Sequence, residues 1–288
     1  MRLPSSRAKS ALQRTLHAAS AGLRGNPFAC FGALVIGLLV VAAVFAPFLT
    51  PYDPIALKLA EMDRPPDSDH WMGTDNLGRD VYTRVLYGAR VSLTVGLIAQ
   101  GVALSLGILL GLTAGFLRGW VDQAIMWLVN VMWAFPYLLL VLAIQIALGN
   151  EAKYVFLAIG LTAWVPVARI VRGEVLSLRE REFVEAARAL GLSSFRIMVR
   201  HILPNVTTTL IVMATLGLAT AIIAEAALSF LGLGVQPPTP SWGRMIHDGV
   251  ARIHDAWWQA TFPSLAIMLS VLAFNLLGDA FSAPRTEI

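Results

Sequence analysis

Few residues in this chain stand at spacings that do chemistry. His247-Asp248 and His254-Asp255 recur seven residues apart, which on one continuous helix would put both imidazoles on the same face. Two histidines with adjacent carboxylates but no third strong ligand fall short of a metal site, so the pair reads as a solvated amphipathic segment and no metal is expected. Glu225 follows an uncharged run that begins at Ile202. A carboxylate in hydrocarbon costs at least roughly 2.5 kcal/mol, so Glu225 either faces a polar path or a partner, or already stands at an interface. It is the candidate for a solute path. His70 and His201 are single. The patterns G-x-x-x-x-G-K-[ST], H-E-x-x-H and G-x-S-x-G do not occur. The one cysteine, Cys30, allows neither an intramolecular disulfide nor a cysteine metal site. No catalytic, cofactor-binding or metal-binding residue is assigned, and any nucleotide chemistry the protein depends on belongs to another chain.

The stretch from Glu180 to Asn205 is charged and amphipathic within an apolar chain. Ser177-Leu178-Arg179-Glu180 has the S-x-x-E form of a capping box and predicts a helix start. Phe183, Ala186, Ala187 and Leu190 recur at three- and four-residue steps as one apolar stripe. Gly191 falls where a left-handed stop is wanted. Ser193 or Ser194 can cap a second short helix carrying Arg196 and Arg200, and Pro204 marks the start of the next apolar run. A helix lying on anionic lipid would want a purely basic polar face. Glu174, Glu180, Glu182 and Glu185 argue instead for a docked protein, although Glu185 can also pair with Arg181 or Arg188 along the helix.

The elements that must position this segment are membrane spans. A chain that is 57% apolar and 14% charged is not an ordinary soluble domain. Runs of about 20 apolar residues cross a bilayer, and Phe28–Leu49, Val91–Leu117, Gln123–Asn150, Ile202–Ala224 and Ala256–Gly278 meet that test. Tyr154–Ala168 makes a sixth span if Arg169 and Arg172 reach the interface on their apolar stems. The leader before Phe28 carries Arg2, Arg7, Lys9, Arg14 and Arg24 with no acid, and residues 173–204 are arginine-rich. Residues 50–90 hold more acids than bases. Basic loops stay inside, which predicts cytoplasmic termini and a cytoplasmic 173–204 loop. The first span is too long for a signal-peptide core and reads as an uncleaved anchor. The net charge of +4 follows from this topology, and no nucleic-acid surface is expected.

Within the spans, Gly107, Gly111 and Gly115 share one helix face and predict a close helix contact, static or moving. Pro136 and Pro166 predict kinks. Gln100, Gln145, Asn130 and Asn275 can bond between helices.

Glu185-Ala186-Ala187, then Gly191, then His201-Ile202-Leu203-Pro204-Asn205 resemble the E-A-A loop of binding-protein-dependent ABC importer permeases. Histidine at 201, where the family pattern usually has isoleucine, is similar to the peptide-importer branch. His70-Trp71-Met72-Gly73-Thr74-Asp75-Asn76-Leu77-Gly78-Arg79-Asp80, Leu228-Ser229-Phe230-Leu231-Gly232-Leu233-Gly234 and Ala273-Phe274-Asn275-Leu276-Leu277-Gly278-Asp279 resemble the dipeptide, oligopeptide and nickel group, in particular its C-type subunit. The short tail after Asp279 departs from that group.

The resemblance implies an all-α integral membrane protein with the type I ABC importer permease fold. Its parts would be a cytoplasmic segment 1–27, a first span 28–49, a periplasmic segment 50–90, a permease core 91–281 with a coupling loop at about 173–204, and a tail 282–288. It implies a non-catalytic subunit in the bacterial inner membrane, paired with a homologous permease, two cytoplasmic ATP-binding subunits that hold ATP and Mg, and a periplasmic or lipid-anchored binding protein. Glu185, Ala186, Ala187, Gly191 and Pro204 would couple it to the ATPase. The solute would be a peptide, or alternatively a nickel chelate, glutathione or an opine. A membrane scaffold or sensory subunit that moves no solute is the competing class.

Overall fold

A computed structural model describes residues 26–149 and 151–282, and they are almost entirely helical. Helix α1, Pro27–Leu49, opens with Pro27 at its first position while the Asn26 side chain accepts from Phe28 N and Ala29 N at 3.0 and 3.4 Å. Helix α2 is Val81–Leu117, α3 is Gly119–Trp133, α4 is Tyr137–Leu148 and α5 is Ala152–Leu178. Two short helices follow, α6 over Glu182–Ala189 and α7 over Ser194–Ile197. Then come α8, Thr207–Phe230, α9, Trp242–Val250, and α10, Trp258–Ser282. Five of these helices are long and apolar enough to cross a membrane, and α3 with α4 makes a sixth if the bent pair is one span. The segment 1–25, the tail from 283 and residue 150 carry sequence expectations that lie outside the described residues.

Packing is centred on α2, which runs along α5 and also touches α1, α3 and α8. The predicted glycine face is this contact. A Cβ built on Gly111 would lie 2.7 Å from the Ala168 carbonyl, and one on Gly115 would lie 2.8 Å from Val175 Cβ. Only a missing side chain allows backbones that close. Helix α10 packs against α8 and α1, and α9 seats on α8 and α10.

Several boundaries differ from the sequence reading, each for a physical reason. Helix α2 begins at Val81 and not Val91, because Asp80 Oδ1 accepts from Thr83 N at 2.7 Å and caps it there. Its 37 residues span about 55 Å at 1.5 Å each, well beyond a hydrocarbon core of about 30 Å. The surplus charged turns are buried in a polar knot at that end. The expected continuous third span, 123–150, is two helices meeting at 98°. Ala134 N still bonds back to Asn130 and Val131, whereas Pro136 is extended and has no N–H to continue the ladder. The expected fourth span continues to Leu178, carried past Arg169 and Arg172 by buried Val171 and Val175.

The knot is made by residues 50–84. Thr74 O accepts from Trp258 Nε1 and from Gln259 Nε2, both at 3.0 Å, and Trp242 Nε1 donates to Val85 O at 2.9 Å. Arg79 Nε meets Asp75 Oδ2 at 2.7 Å, and Arg84 Nη1 donates to Pro54 O at 2.7 Å. His70, unassigned by the sequence reading, is 2% exposed with Nδ1 2.8 Å from Asp80 Oδ2. The segment from His70 to Asp80 is thus a structural lock between the start of α2 and the start of α10.

Candidate functional site

At the opposite end of α2, α6 is a discrete unit. Its stop follows the expected design: Gly191 has φ +74°, Gly191 N bonds Arg188 O at 2.9 Å and Leu192 N bonds Ala187 O at 3.2 Å. These are the two bonds of a left-handed glycine stop. Its start is different from the sequence reading. Ser177 lies in the last turn of α5, so the expected capping box does not form, and α6 begins after extended Arg181 with no side-chain cap. Packing of Val171 and Val175 prolongs α5 beyond the local capping signal.

The apolar stripe also divides. Val184 and Ala187 are buried with Phe116, Val175, Ile197 and Ile202. Phe183, Ala186 and Leu190 face outward, Leu190 being 80% exposed, with Glu182 and Glu185 beside them. The helix therefore has one apolar row for its own bundle and one apolar and acidic row for something else. Gly191 and Pro204 are exposed as well. Pro204 does not sit on α6 but in a tight turn, Leu203–Asn205, after a widened turn in which Leu203 N reaches back to Met198 O. Thus Glu185, Ala186, Ala187 and Gly191 are brought together on one short element, and Pro204 begins the return to α8.

Three arginines hold α6 and the turn that precedes it to the end of α2. Arg179 Nη1 donates to Phe116 O at 2.7 Å and to Gly115 O at 3.4 Å, meeting carbonyls that the end of α2 leaves free. Burial, with Arg118 and Arg188 nearby, holds its guanidinium below its usual value. Arg188 lies over the Phe116 ring at 5.5 Å, and Arg118 Nη1 is 3.6 Å from Glu180 Oε1.

Glu225 is fully buried in α8. Ser229 Oγ donates to its Oε1 at 2.6 Å and in turn accepts from Val235 N at 3.1 Å, with Ser241 beside the carboxylate. It ties α8 to the approach of α9 and lines neither of two cavities formed by the described residues. Those lie among α2, α5 and α8 beneath the bend between α3 and α4, with volumes of about 440 and 310 Å³, and share Tyr137, Ala163, Pro166 and Thr220. Three expected amides bond between segments: Gln100 Nε2 to Met213 O at 3.0 Å, Gln145 to Leu233 O, and Asn130 Oδ1 from Arg169 Nη2 at 2.8 Å. The histidine pair does not share a face, because α9 ends at Val250 before His254 is reached.

The family model described as the binding-protein-dependent transport system inner membrane component matches residues 107–283. The chain belongs to the binding-protein-dependent ABC importer permeases. A second model, the N-terminal membrane domain of oligopeptide transport permease C, matches residues 17–67 of the permease. The permease is 43% identical over 258 residues to the dipeptide transport system permease protein DppC of Bacillus subtilis (strain 168), covering 89% of this chain and 81% of that one. It is 44% identical to the glutathione transport system permease protein GsiD of Escherichia coli O6:K15:H31, covering 89% and 85%. Among solved structures it is similar to a chain of the inward-facing MetNI methionine ABC transporter, at TM-score 0.54 and 20% identity over 71% of this chain and 96% of that one, a likeness of fold. The permease is an integral membrane subunit of an ABC importer, and its helix α6 carries Glu185, Ala186 and Ala187.

Proposed function

We propose that the permease supplies half of the import path for a short peptide, pairing with a homologous permease and receiving its drive through α6 from a cytoplasmic ATP-binding subunit. ATP and Mg would be held by two such subunits, and the permease itself would catalyse nothing. A binding protein would deliver the solute to the face bearing residues 50–80. Both termini and α6 would then lie in the cytoplasm, as the arginine distribution requires.

The observation that carries this reading is the division of α6 into two rows. Val184 and Ala187 root it in the bundle, while Phe183, Ala186 and Leu190 stay exposed beside Glu182 and Glu185. An exposed apolar row on a clamped helix suits insertion into a partner's groove. The named relatives carry dipeptides and glutathione, both peptides, which supports a peptide as cargo.

The test is uptake by the assembled transporter, with the ATP-binding subunits copurified. Glu185→Lys and Gly191→Val are expected to lower uptake at least about tenfold, the latter because a β-branched residue is strained at positive φ. The membrane-embedded permease should remain assembled with its homologue. Unchanged uptake in both variants would remove α6 from the coupling role, and normal coupling in a complex that moves no solute would favour a sensory subunit.

A further inference from the structure

The two cavities beneath the helix break belong neither to the coupling surface nor to the polar knot. Their volumes of about 440 and 310 Å³ are those of small-ligand sites. Among the described residues no Asp, Glu, Lys or Arg lines either one. The neighbouring charges are engaged outside them: Arg169 lies over the Trp133 ring at 3.9 Å and bonds Asn130, and Glu174 accepts from Thr209. The walls are Trp133, Phe135, Pro166 and aliphatic residues, with Thr162 and Thr220 as small polar points in the larger cavity and Gln100 and Thr209 in the smaller, these two donating to Met213 O and Glu174.

Tyr137, the first residue of α4, stands where the cavities join. Its hydroxyl is buried and makes no hydrogen bond. Thr162 is its neighbour: that hydroxyl gives its proton to the Ala158 and Ile159 carbonyls at 3.1 and 2.9 Å, and its oxygen is the acceptor at hand for the phenol. No bond of good geometry holds the phenol there, so a carbonyl entering the cavity can draw it from Thr162.

We propose that the joined cavities are a transit station for an apolar side chain of the peptide, with the Tyr137 hydroxyl donating to an adjacent peptide carbonyl. The inference rests on the import reading given above. An apolar side chain fills walls that offer it contact and loses no solvation. A charged one leaves water without finding a counter-charge. The station therefore favours apolar over acidic peptides at a step that follows release from the binding protein.

The experiment uses the complete transporter in proteoliposomes, with radiolabelled Ala-Phe and Ala-Glu as probes at concentrations that saturate the binding protein. Uptake and ATP hydrolysis are read together. The unaltered transporter is expected to move Ala-Phe about tenfold faster than Ala-Glu, the penalty of carrying an uncompensated charge through the apolar station. Thr220→Trp, which fills the shared wall, is expected to lower Ala-Phe uptake about tenfold with ATP hydrolysis within about twofold of normal, because overfilling acts locally. Tyr137→Phe keeps the ring and removes the donor, and is expected to lower uptake of both peptides about three- to tenfold, since both carry the carbonyl, and to leave the ratio between them unchanged.

Equal rates for the two peptides, or normal Ala-Phe uptake in both variants, overturn the station and leave peptide import standing. If Thr220→Trp also loses ATP hydrolysis, Tyr137→Phe decides, since it preserves shape. If the unaltered complex hydrolyses ATP and moves neither peptide, the import of peptides is itself wrong and the station falls with it.

Discussion

Arg179 is the residue through which α6 has most to lose. Its Nη1 meets two carbonyls at the end of α2, and hydrogen bonds from a charged donor are worth about 1.5–3 kcal/mol. Arg179→Gln is expected to keep ATP hydrolysis near normal while lowering the peptide moved per ATP about tenfold, consistent with a loss of that size. Parallel measurement of hydrolysis and uptake checks it, and Arg179→Lys should recover part of the ratio. Within α8, Ser229→Ala removes the hydroxyl that donates to buried Glu225 at 2.6 Å. It is expected to destabilise the permease by about 1–3 kcal/mol, read as a lower Tm in detergent, and Glu225→Gln should be tolerated because an amide keeps the shape without the charge. The sequence left Glu225 a polar path, a partner or an interface and did not point to serine, since the pairing depends on how the chain returns after α8. Gly191 was legible as a helix stop from a local rule, whereas Glu185 was singled out only by resemblance. Which side of α6 faces out was not, because Val184 completes a second apolar row that periodicity cannot rank against the first.

At the scale of elements, the α2 and α5 pair is the rigid spine. The glycine spacing was readable in the sequence and predicted a close contact, and the structure supplies the partner residues, Val167, Ala168, Val171 and Val175. Gly111→Val would drive a side chain into the Ala168 carbonyl 2.7 Å away, backbone that cannot step aside. It is expected to cost about 1–3 kcal/mol or more and to reduce the amount of monodisperse protein recovered, measured by size-exclusion chromatography after heating. The break at Pro136 was legible only as a kink. Proline removes one donor, but the full 98° turn comes from what α3 and α4 pack against. Helix ends failed in the sequence reading where packing outlasts local signals, at Ser177, and where a distant cap begins a helix early, at Asp80.

Across the whole molecule, two ends of one long helix have different tasks. At the Val81 end, hydrogen bonds from Trp258, Gln259 and Trp242 lock residues 50–85 to α9 and α10. At the Leu117 end, α6 is fastened by Arg179 and by burial of Val184 and Ala187. The long apolar helices were legible because apolar length is a property of whole segments. The knot was not, because it joins residues far apart in sequence through side chains such as His70 that carry no local signal. Since α6 is clamped to α2 and α5, the account holds that these three move as one body when the partner subunit closes. The direct measurement is a pulsed electron paramagnetic resonance distance between spin labels at Ala189→Cys on α6 and Leu109→Cys on α2, both exposed, in the complete transporter with Cys30→Ser. With and without trapped ATP, the account predicts a separation constant to within about 2 Å, the scale of small helix adjustments. A change approaching one helical turn, about 5.4 Å, would contradict it, because α6 would then be sliding on the bundle it is meant to drive.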